Sequence, residues 1–496
     1  DNTVVILFNG QKSINQKKDL ICISENSTDR RDSTTKAKFA YNPTRECKFG
    51  AFIAVCRSIP DLQNFGLSKI NPNPKVAQIS VRNPYSTKSP VVVCFSPLFY
   101  FEKWQLLLTS LEIYKYYGAD LQVIYVQSML SQIYSILEVY AKNNDVAVEP
   151  WATHDLGEKI IRKIGFDPNL ELDWRNQAAA HTDCTIKYGE AADFIIIADL
   201  DDVLVPKLEK NYIQEFRRLT SRFPNSAGFS YSRFNVAVEE DSDPSEFSLS
   251  KVIDSSKISK EKENQKYVLN TVRAKTAWIH WPGVTVPGSE MYLIPEENFM
   301  FHLRNWTKKS NSKKKLKLNQ IQINNFISSG DQAMMQIDFN RRITKTKAFT
   351  DLPSEAVYSK LIVDCYDEMF YSRGRQPDIC PGPVRCVFKP QPGVHCMVAK
   401  KYLETTSVTP KLRITSGPSD SKFIMYKSGL AFFLSMRPWR RWRSITFPLT
   451  LSFPLMKAFW GFSSPRASLA KSESSMVIVT GFLSVLEKNV DDDGLD

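Results

Sequence analysis

From residue 91 onward, short apolar runs alternate with segments whose apolar residues recur at helical spacing. Residues 91–95 (VVVCF) form an unbroken, β-branched run, the pattern of a strand buried on both faces. Residues 101–117 place Trp104, Leu107, Leu108, Leu111 and Tyr114 on one face, which predicts an amphipathic helix stopped by Gly118. A strand over 121–126 and a helix over 130–142 follow, the helix carrying Ile133, Leu137 and Tyr140. A strand at 146–149, a helix at 173–189 and a strand at 194–200 complete the series. Strand and helix in alternation imply an α/β domain with a mostly parallel sheet. Ligands of such sheets bind beyond the carboxyl ends of the strands.

On either side the pattern changes. Residues 1–89 are rich in Asn, Ser and Lys with short β-like pieces, and read as a β-rich N-terminal segment with long loops. The α/β unit is expected to run over 90–400. Past Pro206 the sequence suggests a helix (208–221), a strand (228–232), an acidic loop (239–243), short strands within 267–304 and a helix (331–338). Residues 407–496 are basic, rich in Ser and Pro and studded with Trp and Phe, without the periodicity of a domain, and read as an irregular tail.

The chemistry concentrates where the 194–198 run ends, in Asp199-Leu200-Asp201-Asp202. Carboxylates this close raise one another's pKa unless a positive group sits among them. At a strand end, a divalent cation carrying a phosphorylated ligand meets that need. The competing reading is an Asp-rich turn that caps the next helix, which suits Asp202 better than Asp199 or Asp201. His302, in Phe301-His302-Leu303-Arg304, and His280, between Trp278 and Trp281, could complete a carboxylate–metal site or be core histidines. In the helix at 173–189, Gln177 and Asp183 are candidates for a polar row facing the strand-end crevice and contacting nucleotide or sugar, although Asp183 could equally be a surface carboxylate.

The net charge of +12 is spread along the chain. Its densest run, Lys308 to Lys317, lacks interleaved aromatics, so it reads as a solvated loop rather than a nucleic-acid site; a lysine meeting a diphosphate is the functional alternative. Gly-rich phosphate loops, GxSxG and HExxH are absent, which leaves kinase and hydrolase readings without support. None of the nine cysteines forms a CxxC pair, which argues against zinc. Cys365, Cys380, Cys386 and Cys396 are dense enough to suggest disulfides in an oxidising compartment, whereas Cys94 and Cys184, in apolar elements, are expected as buried thiols. Two sequons, at Asn26 and Asn305, agree with a secretory location. No run approaches the roughly 20 clean apolar residues of a membrane span; 423–436 is short and 445–462 is broken by Pro448, Pro454 and Lys457.

Several separated motifs occur together and in order: Cys94-Phe95-Ser96-Pro97-Leu98, the helix ending at Gly118-Ala119-Asp120, Gln177 to Asp183-Cys184, Asp199-Leu200-Asp201-Asp202-Val203-Leu204-Val205-Pro206, Ile279-His280 and Phe301-His302-Leu303-Arg304. Together they resemble glycosyltransferase family 92 over roughly residues 90–306. The resemblance implies a GT-A fold and a Mn²⁺-dependent (or Mg²⁺-dependent) inverting transfer from a UDP-sugar. It implies UDP-galactose as donor and a glycan acceptor such as fucose of an N-glycan core. It also implies a Golgi-lumenal, type II membrane protein, whose anchor this sequence does not display. Carried over, Asp199 and Asp201 match the DxD positions and His302 the metal- or diphosphate-side histidine; Asp202 stands where many relatives have Glu. An inverting transfer needs a base for the acceptor hydroxyl. Asp331, Glu290 and the run Glu239-Glu240-Asp241 are the weak candidates. The rivals are a catalytically silent sugar- or nucleotide-binding protein on the same scaffold, and a phosphodiesterase, which would require more His and Asp ligands than these motifs supply.

Overall fold

The computed structural model describes residues 2–12, 19–69, 75–295, 298–308, 321–371, 379–389, 391–409, 412–417, 421–427 and 476–485. The lysine run at 309–317 and the Trp/Arg stretch at 438–443 lie outside them.

Seven strands occupy the N-terminal segment: β1 (Thr3–Gln11), β2 (Asp19–Glu25), β3 (Arg30–Lys36), β4 (Lys38–Phe39), β5 (Phe49–Arg57), β6 (Asn64–Ser68) and β7 (Ala77–Gln78). The alternation along β1 decides its packing. Val4, Ile6 and Phe8 face the second N-terminal sheet, against Leu20, Phe65 and Leu67. Val5 and Leu7 point the other way, toward the α/β unit.

That unit begins with β8 (Val91–Leu98), α1 (Trp104–Tyr116), β9 (Leu121–Val126), β10 (Ser128–Leu130), α2 (Ser131–Lys142) and β11 (Val146–Pro150). It continues with α3 (Gly157–Ile164), α4 (Gln177–Tyr188), β12 (Phe194–Ala198), β13 (Asp202–Leu204), α5 (Tyr212–Arg222) and β14 (Ser226–Glu240). Then come α6 (Leu249–Ser255), β15 (Lys257–Asn270), β16 (Glu290–Leu293) and β17 (Met300–Lys308). The central sheet runs β11-β9-β8-β12-β15-β14-β17-β13. Its first four strands are parallel, as the apolar runs predict. Beyond β12 the sheet is mixed: β15 is antiparallel to both β12 and β14, and β14 is parallel to β17. The long β14–β15 pair departs most from the sequence expectation. The β15 sequence KISKEKENQK is exposed or half-buried over most of its length and, apart from Ile258, carries no apolar residue before Tyr267. Past β17, β18 (Ile321–Gln322) pairs with β15, and α7 (Ser329–Phe339) covers the expected 331–338 helix. Further strands follow: β19 (Cys396–Lys400), β20 (Glu404–Ser407), β21 (Leu412–Ser416), β22 (Lys422–Tyr426) and β23 (Met476–Val485). The last of these is parallel to β1. Among the described residues no helix is long and apolar enough to cross a membrane.

Helix α4 lies between two sheets. Ala178, Ala179 and Ile186 meet Val5 and Leu7, while Ala180 and Cys184 meet Val92, Ile195 and Ile197 of the central sheet. Every residue of α4 but Lys187 is buried. A helix covered on both faces favours the small side chains of its Ala178-Ala179-Ala180 run.

Cys94 and Cys184 form a disulfide that fastens α4 to β8, correcting the expectation of thiols. Both elements are apolar because they pack together, and contact at a Cα separation of 6.2 Å is within bridging range. Cys22–Cys56, Cys47–Cys380 and Cys365–Cys386 are also bridged; Cys396 is free and buried. Only one bridge is therefore internal to the 365–396 cluster. Four disulfides fit a secretory-pathway lumen.

Two predictions follow from this packing. Replacing both Cys94 and Cys184 by Ala should lower unfolding free energy by about 2–4 kcal/mol, read from urea midpoints under non-reducing conditions; an unchanged midpoint would show the sulfurs to be unbridged. His154 and His181 are both pushed down to about 3, by burial and then by nearby lysines. Each is neutral when folded but takes up a proton near pH 6.5 when unfolded. Stability from these groups is therefore complete above that pH and is lost as pH falls toward 3. The slope is about 1.4 kcal/mol per pH unit for each group. Urea midpoints should drop below pH 6.5, and His181→Gln should remove about one proton's worth of that slope. A variant with the wild-type slope would contradict the assignment.

Candidate active site

The run 194–198 is buried throughout and delivers Asp199 to the carboxyl end of β12. The chain then turns tightly. Asp202 N–H donates to the Asp199 carbonyl at 3.0 Å, and Asp199 N–H donates to Asp202 Oδ2 at 2.9 Å. Side chains of α1 lock the turn from below: Ser110 donates to the Leu200 carbonyl at 2.5 Å, and the Tyr114 hydroxyl to that of Asp202 at 2.9 Å. Leu303 N–H closes it from β17, on the Asp201 carbonyl at 2.7 Å.

Positive charge does sit among these carboxylates, and the protein itself supplies it. Arg233, on β14, donates to Asp202 Oδ1 at 2.9 Å and Oδ2 at 3.2 Å. Lys266, on β15, is wholly buried and forms an ion pair with Asp199 Oδ2 at 3.0 Å, without the alignment of a hydrogen bond. Burial opposes ionisation of Asp199, but Lys266 and Arg233 outweigh it and hold its carboxyl well below the usual range. Burial pushes Asp202 up, against the pull of Arg233 and Lys266. Asp202 does not cap the following helix; Asn211 does, accepting from Gln214 N–H at 3.0 Å. Asp202 instead belongs to β13, paired in register with His302.

Sequence reasoning missed both cations. A signal existed: Arg233 sits among Phe229, Tyr231, Phe234 and Val236 of one strand, and Lys266 immediately precedes the apolar run Tyr267-Val268-Leu269. Positions of that kind seldom hold a charge without a partner.

Asp201 is the carboxylate that neither cation takes. Its side chain is 29% exposed, and its Oδ2 lies 3.1 Å from His302 Nε2. The tautomer of His302 is set from the far side. Asn235 Nδ2 donates to Glu261 and Glu263, at 3.4 and 3.3 Å, so its Oδ1 is the atom facing His302 Nδ1 at 2.8 Å. Nδ1 therefore carries hydrogen, and the Nε2 position meets a carboxylate oxygen. Either Nε2 is protonated or a cation lies between the two. Burial opposes the charged imidazole, yet the bond to Asp201 and the charges of Asp201 and Asp202 raise its pKa. Ligand atoms of Asp201, Asp202 and His302 fall within 4.8 Å of one another. A ligating histidine oriented by a second hydrogen bond, beside a free carboxylate, is the donor set that Mn²⁺ or Zn²⁺ takes readily and Mg²⁺ less so. These residues fit a divalent cation at Asp201 and His302.

A cleft of about 260 Å³ opens beside them, lined by Ser96, Phe101, Gln127, Arg175, Gln177, Asp199 and Asp201 among others. Gln177 stands where the sequence suggests, at the cleft wall, and donates to Ser96 Oγ and Asp199 Oδ1. Asp183 does not reach this cleft. It is buried, accepts from the Tyr125 hydroxyl at 2.7 Å and is salt-bridged to Arg82 at the wall of another cavity. His280 Nδ1–H donates to the Gln265 carbonyl at 2.7 Å; burial, then Lys266, pushes its pKa down to about 4. Beside it Trp281 is half exposed and stacks on Trp278 at 4.1 Å. Asp331 accepts from the Tyr116 hydroxyl at 2.6 Å and from Ser328, the N-cap of α7. Glu290 is exposed on β16 and accepts from Tyr292. Glu239 and Glu240 end β14, and the Asp241 carbonyl accepts from Gln105. None of these five acids lines the cleft.

The comparisons with known proteins identify the family. The sequence model of glycosyltransferase family 92 matches residues 89–343, the span that contains the turn, both cations and His302. The Caenorhabditis elegans glycosyltransferase family 92 protein F59C6.8 is 32% identical, covering 81% of this chain and 80% of its own. The C. elegans family 92 proteins F13G3.3 and C33H5.2 are 32% and 30% identical, each covering more than three quarters of both chains. With a family match over half its length and relatives aligned over most of the rest, the chain belongs to glycosyltransferase family 92.

Proposed function

We propose that the protein transfers a hexose, galactose from UDP-galactose, to a glycan acceptor with inversion, fucose of an N-glycan core being a fitting acceptor. The work would take place in the Golgi lumen, with a type II membrane anchor in the whole protein. The observation that carries the reading is the Asp201–His302 pair. It is a free carboxylate and an oriented imidazole at the mouth of a strand-end cleft, in a chain of this family. Asp201 and His302 would hold Mn²⁺, with Asp199 of the DxD pair alongside. When bound, the cation neutralises charge that develops on a departing diphosphate. The chain's own residues do the rest. Asn235 fixes the His302 ring, Ser96 and Gln177 fix Asp199, and Arg175 offers a guanidinium at the cleft wall. Trp281 offers an exposed ring on which an acceptor sugar can stack.

The rival, binding without turnover, draws on one observation: Lys266 and Arg233 already neutralise Asp199 and Asp202, which leaves fewer free carboxylates for a cation. UDP release across a panel of UDP-sugars, with a fucosylated N-glycan acceptor and a chelator control, separates the two. Release that needs acceptor and metal, highest with UDP-galactose, supports transfer. Metal-dependent UDP binding with no release supports the rival.

Two sets of variants test the division of labour around the turn. Asp201→Ala and His302→Gln should each cut transfer at least 100-fold with thermal melting little changed; full activity in either would sink the site. Asp202→Leu and Arg233→Met each strand a buried partner and should lower stability by about 3–5 kcal/mol. The double variant Asp202→Leu/Arg233→Met should recover much of that loss in urea melts. Full additivity of the single losses would show that the two side chains do not act as a pair.

A further inference from the structure

A second cavity is larger than the cleft at Asp201. It encloses about 630 Å³ and lies beyond the carboxyl ends of β9 and β11, on the α4 side of the sheet. Three separate parts of the chain build it. Asn9 of β1 and Arg82 come from the N-terminal segment, Tyr125, Trp151 and Asp183 from the α/β unit, and Lys401 from beyond it. The first and last of these lie outside the 89–343 span that defines the family.

The wall identifies the class of occupant. Pockets for drug-like or lipid ligands are lined mostly by apolar surface; here polar surface predominates. Two of the three cations are engaged with the two carboxylates, Arg82 with Asp183 and Lys187 with Glu149; the third, Lys401, lies near both Arg82 and Asp183. A strongly charged ligand would have to break these pairs. A neutral one with many hydroxyls would not, because each hydroxyl both donates and accepts. Two amide oxygens near the wall, Asn9 Oδ1 and Asn176 Oδ1, are buried without a hydrogen-bond partner among the described residues. Both residues line the cavity, so a turn of either amide toward an occupant would satisfy it. Trp151, edge-on to Tyr125 at 5.2 Å, supplies an aromatic surface for the apolar face of a sugar ring.

We infer that this cavity is a second saccharide site, separate from the transfer cleft and taking a neutral oligosaccharide of a few residues. The segment 173–177 is the partition between the two. Arg175 and Gln177 line the cleft, while Asn176 between them lines the cavity. The inference stands on this cavity's own geometry and does not depend on the identity of the donor.

The test is calorimetric binding of maltotriose, lactose and N,N′-diacetylchitobiose to the purified chain in EDTA, repeated with saturating UDP and Mn²⁺. Saturable binding of at least one sugar, unchanged by UDP, is expected. Asn9→Leu removes a buried acceptor, and Asn83→Trp plugs the mouth from an exposed wall position. Each should weaken that binding at least tenfold with melting temperature and UDP release unchanged. Three results would each overturn the inference. No binding by any of the three sugars means that the cavity holds water alone. Binding that survives both variants lies elsewhere. Displacement by UDP makes the cavity part of the donor site. If Asn9→Leu fails to fold, Asn83→Trp alone decides.

Discussion

Burial of charge beneath one turn sets the terms for the rest of this structure. Asp202 and Lys266 are wholly buried and Arg233 nearly so. An ion pair out of water is held only when its geometry is good and its remaining hydrogen-bonding capacity is used. Here part of that capacity is used: Asp202 accepts from Asp199 N–H and ties the turn to itself, and Arg233 spans both of its oxygens, while Arg233 Nε and Lys266 Nζ make no hydrogen bond among the described residues. The two cations outnumber Asp202, and the excess is taken by Asp199, which Ser96 and Gln177 also hold. Asp201, carried between these two on the opposite side of the turn, is left to the cleft. The free carboxylate is thus a remainder of the charge balance, and β13–β17 pairing brings His302 to it.

How much of this was legible follows from what each pattern records. Apolar runs marked the four parallel strands, three of which are buried throughout and the edge strand β11 only in part, and the carboxylates at the end of β12 marked the site. Clustered carboxylates do require a positive neighbour, but locally only a metal could supply it, because the protein's own cations come from β14 and β15, some 30 to 70 residues later in sequence. β15 is a strand mostly through its pairing with β14, and its exposed Lys and Glu residues hide it. Burial of Lys266 depends on that pairing, so no local pattern contains it. The Cys94–Cys184 bridge was hidden for a related reason: apolar surroundings suit a buried thiol and a buried disulfide equally, and only the contact between β8 and α4 distinguishes them.

Asp183 shows the limit of face-reading on a helix. Asp183 shares a helical face with Asn176 and Ala180, but α4 is covered on both sides, and that face turns to the larger cavity rather than to the strand-end cleft. Polar residues there must each find a local partner. Gln177 finds one at the cleft, His181 meets Ser96 at 3.1 Å, and Asp183 takes Tyr125 and Arg82. The face decides which cavity each one meets: Asn176, Ala179, Asp183 and Lys187, at helical spacing, line the larger cavity, and Gln177 lines the cleft.

The N-terminal segment bears on the cleft through the chain just before α4. Arg175 and Asn176 both have positive φ, at 63° and 58°, a left-handed conformation that costs a non-glycine residue on the order of 1 kcal/mol or more. Two such residues in succession persist only where the surroundings over-determine them. The anchor is Asp173, buried two residues upstream, which accepts from Thr44 N–H at 3.0 Å and Thr44 Oγ1 at 2.6 Å, with Lys12 at 3.4 Å. Thr44 and Lys12 both belong to the N-terminal segment, and the neighbouring Cys47 is bridged to Cys380. The turn so held sends Arg175 and Gln177 into the cleft and Asn176 into the other cavity. The N-terminal sheet therefore contributes to the site without reaching it: it holds in place the strained backbone from which the cleft wall is built.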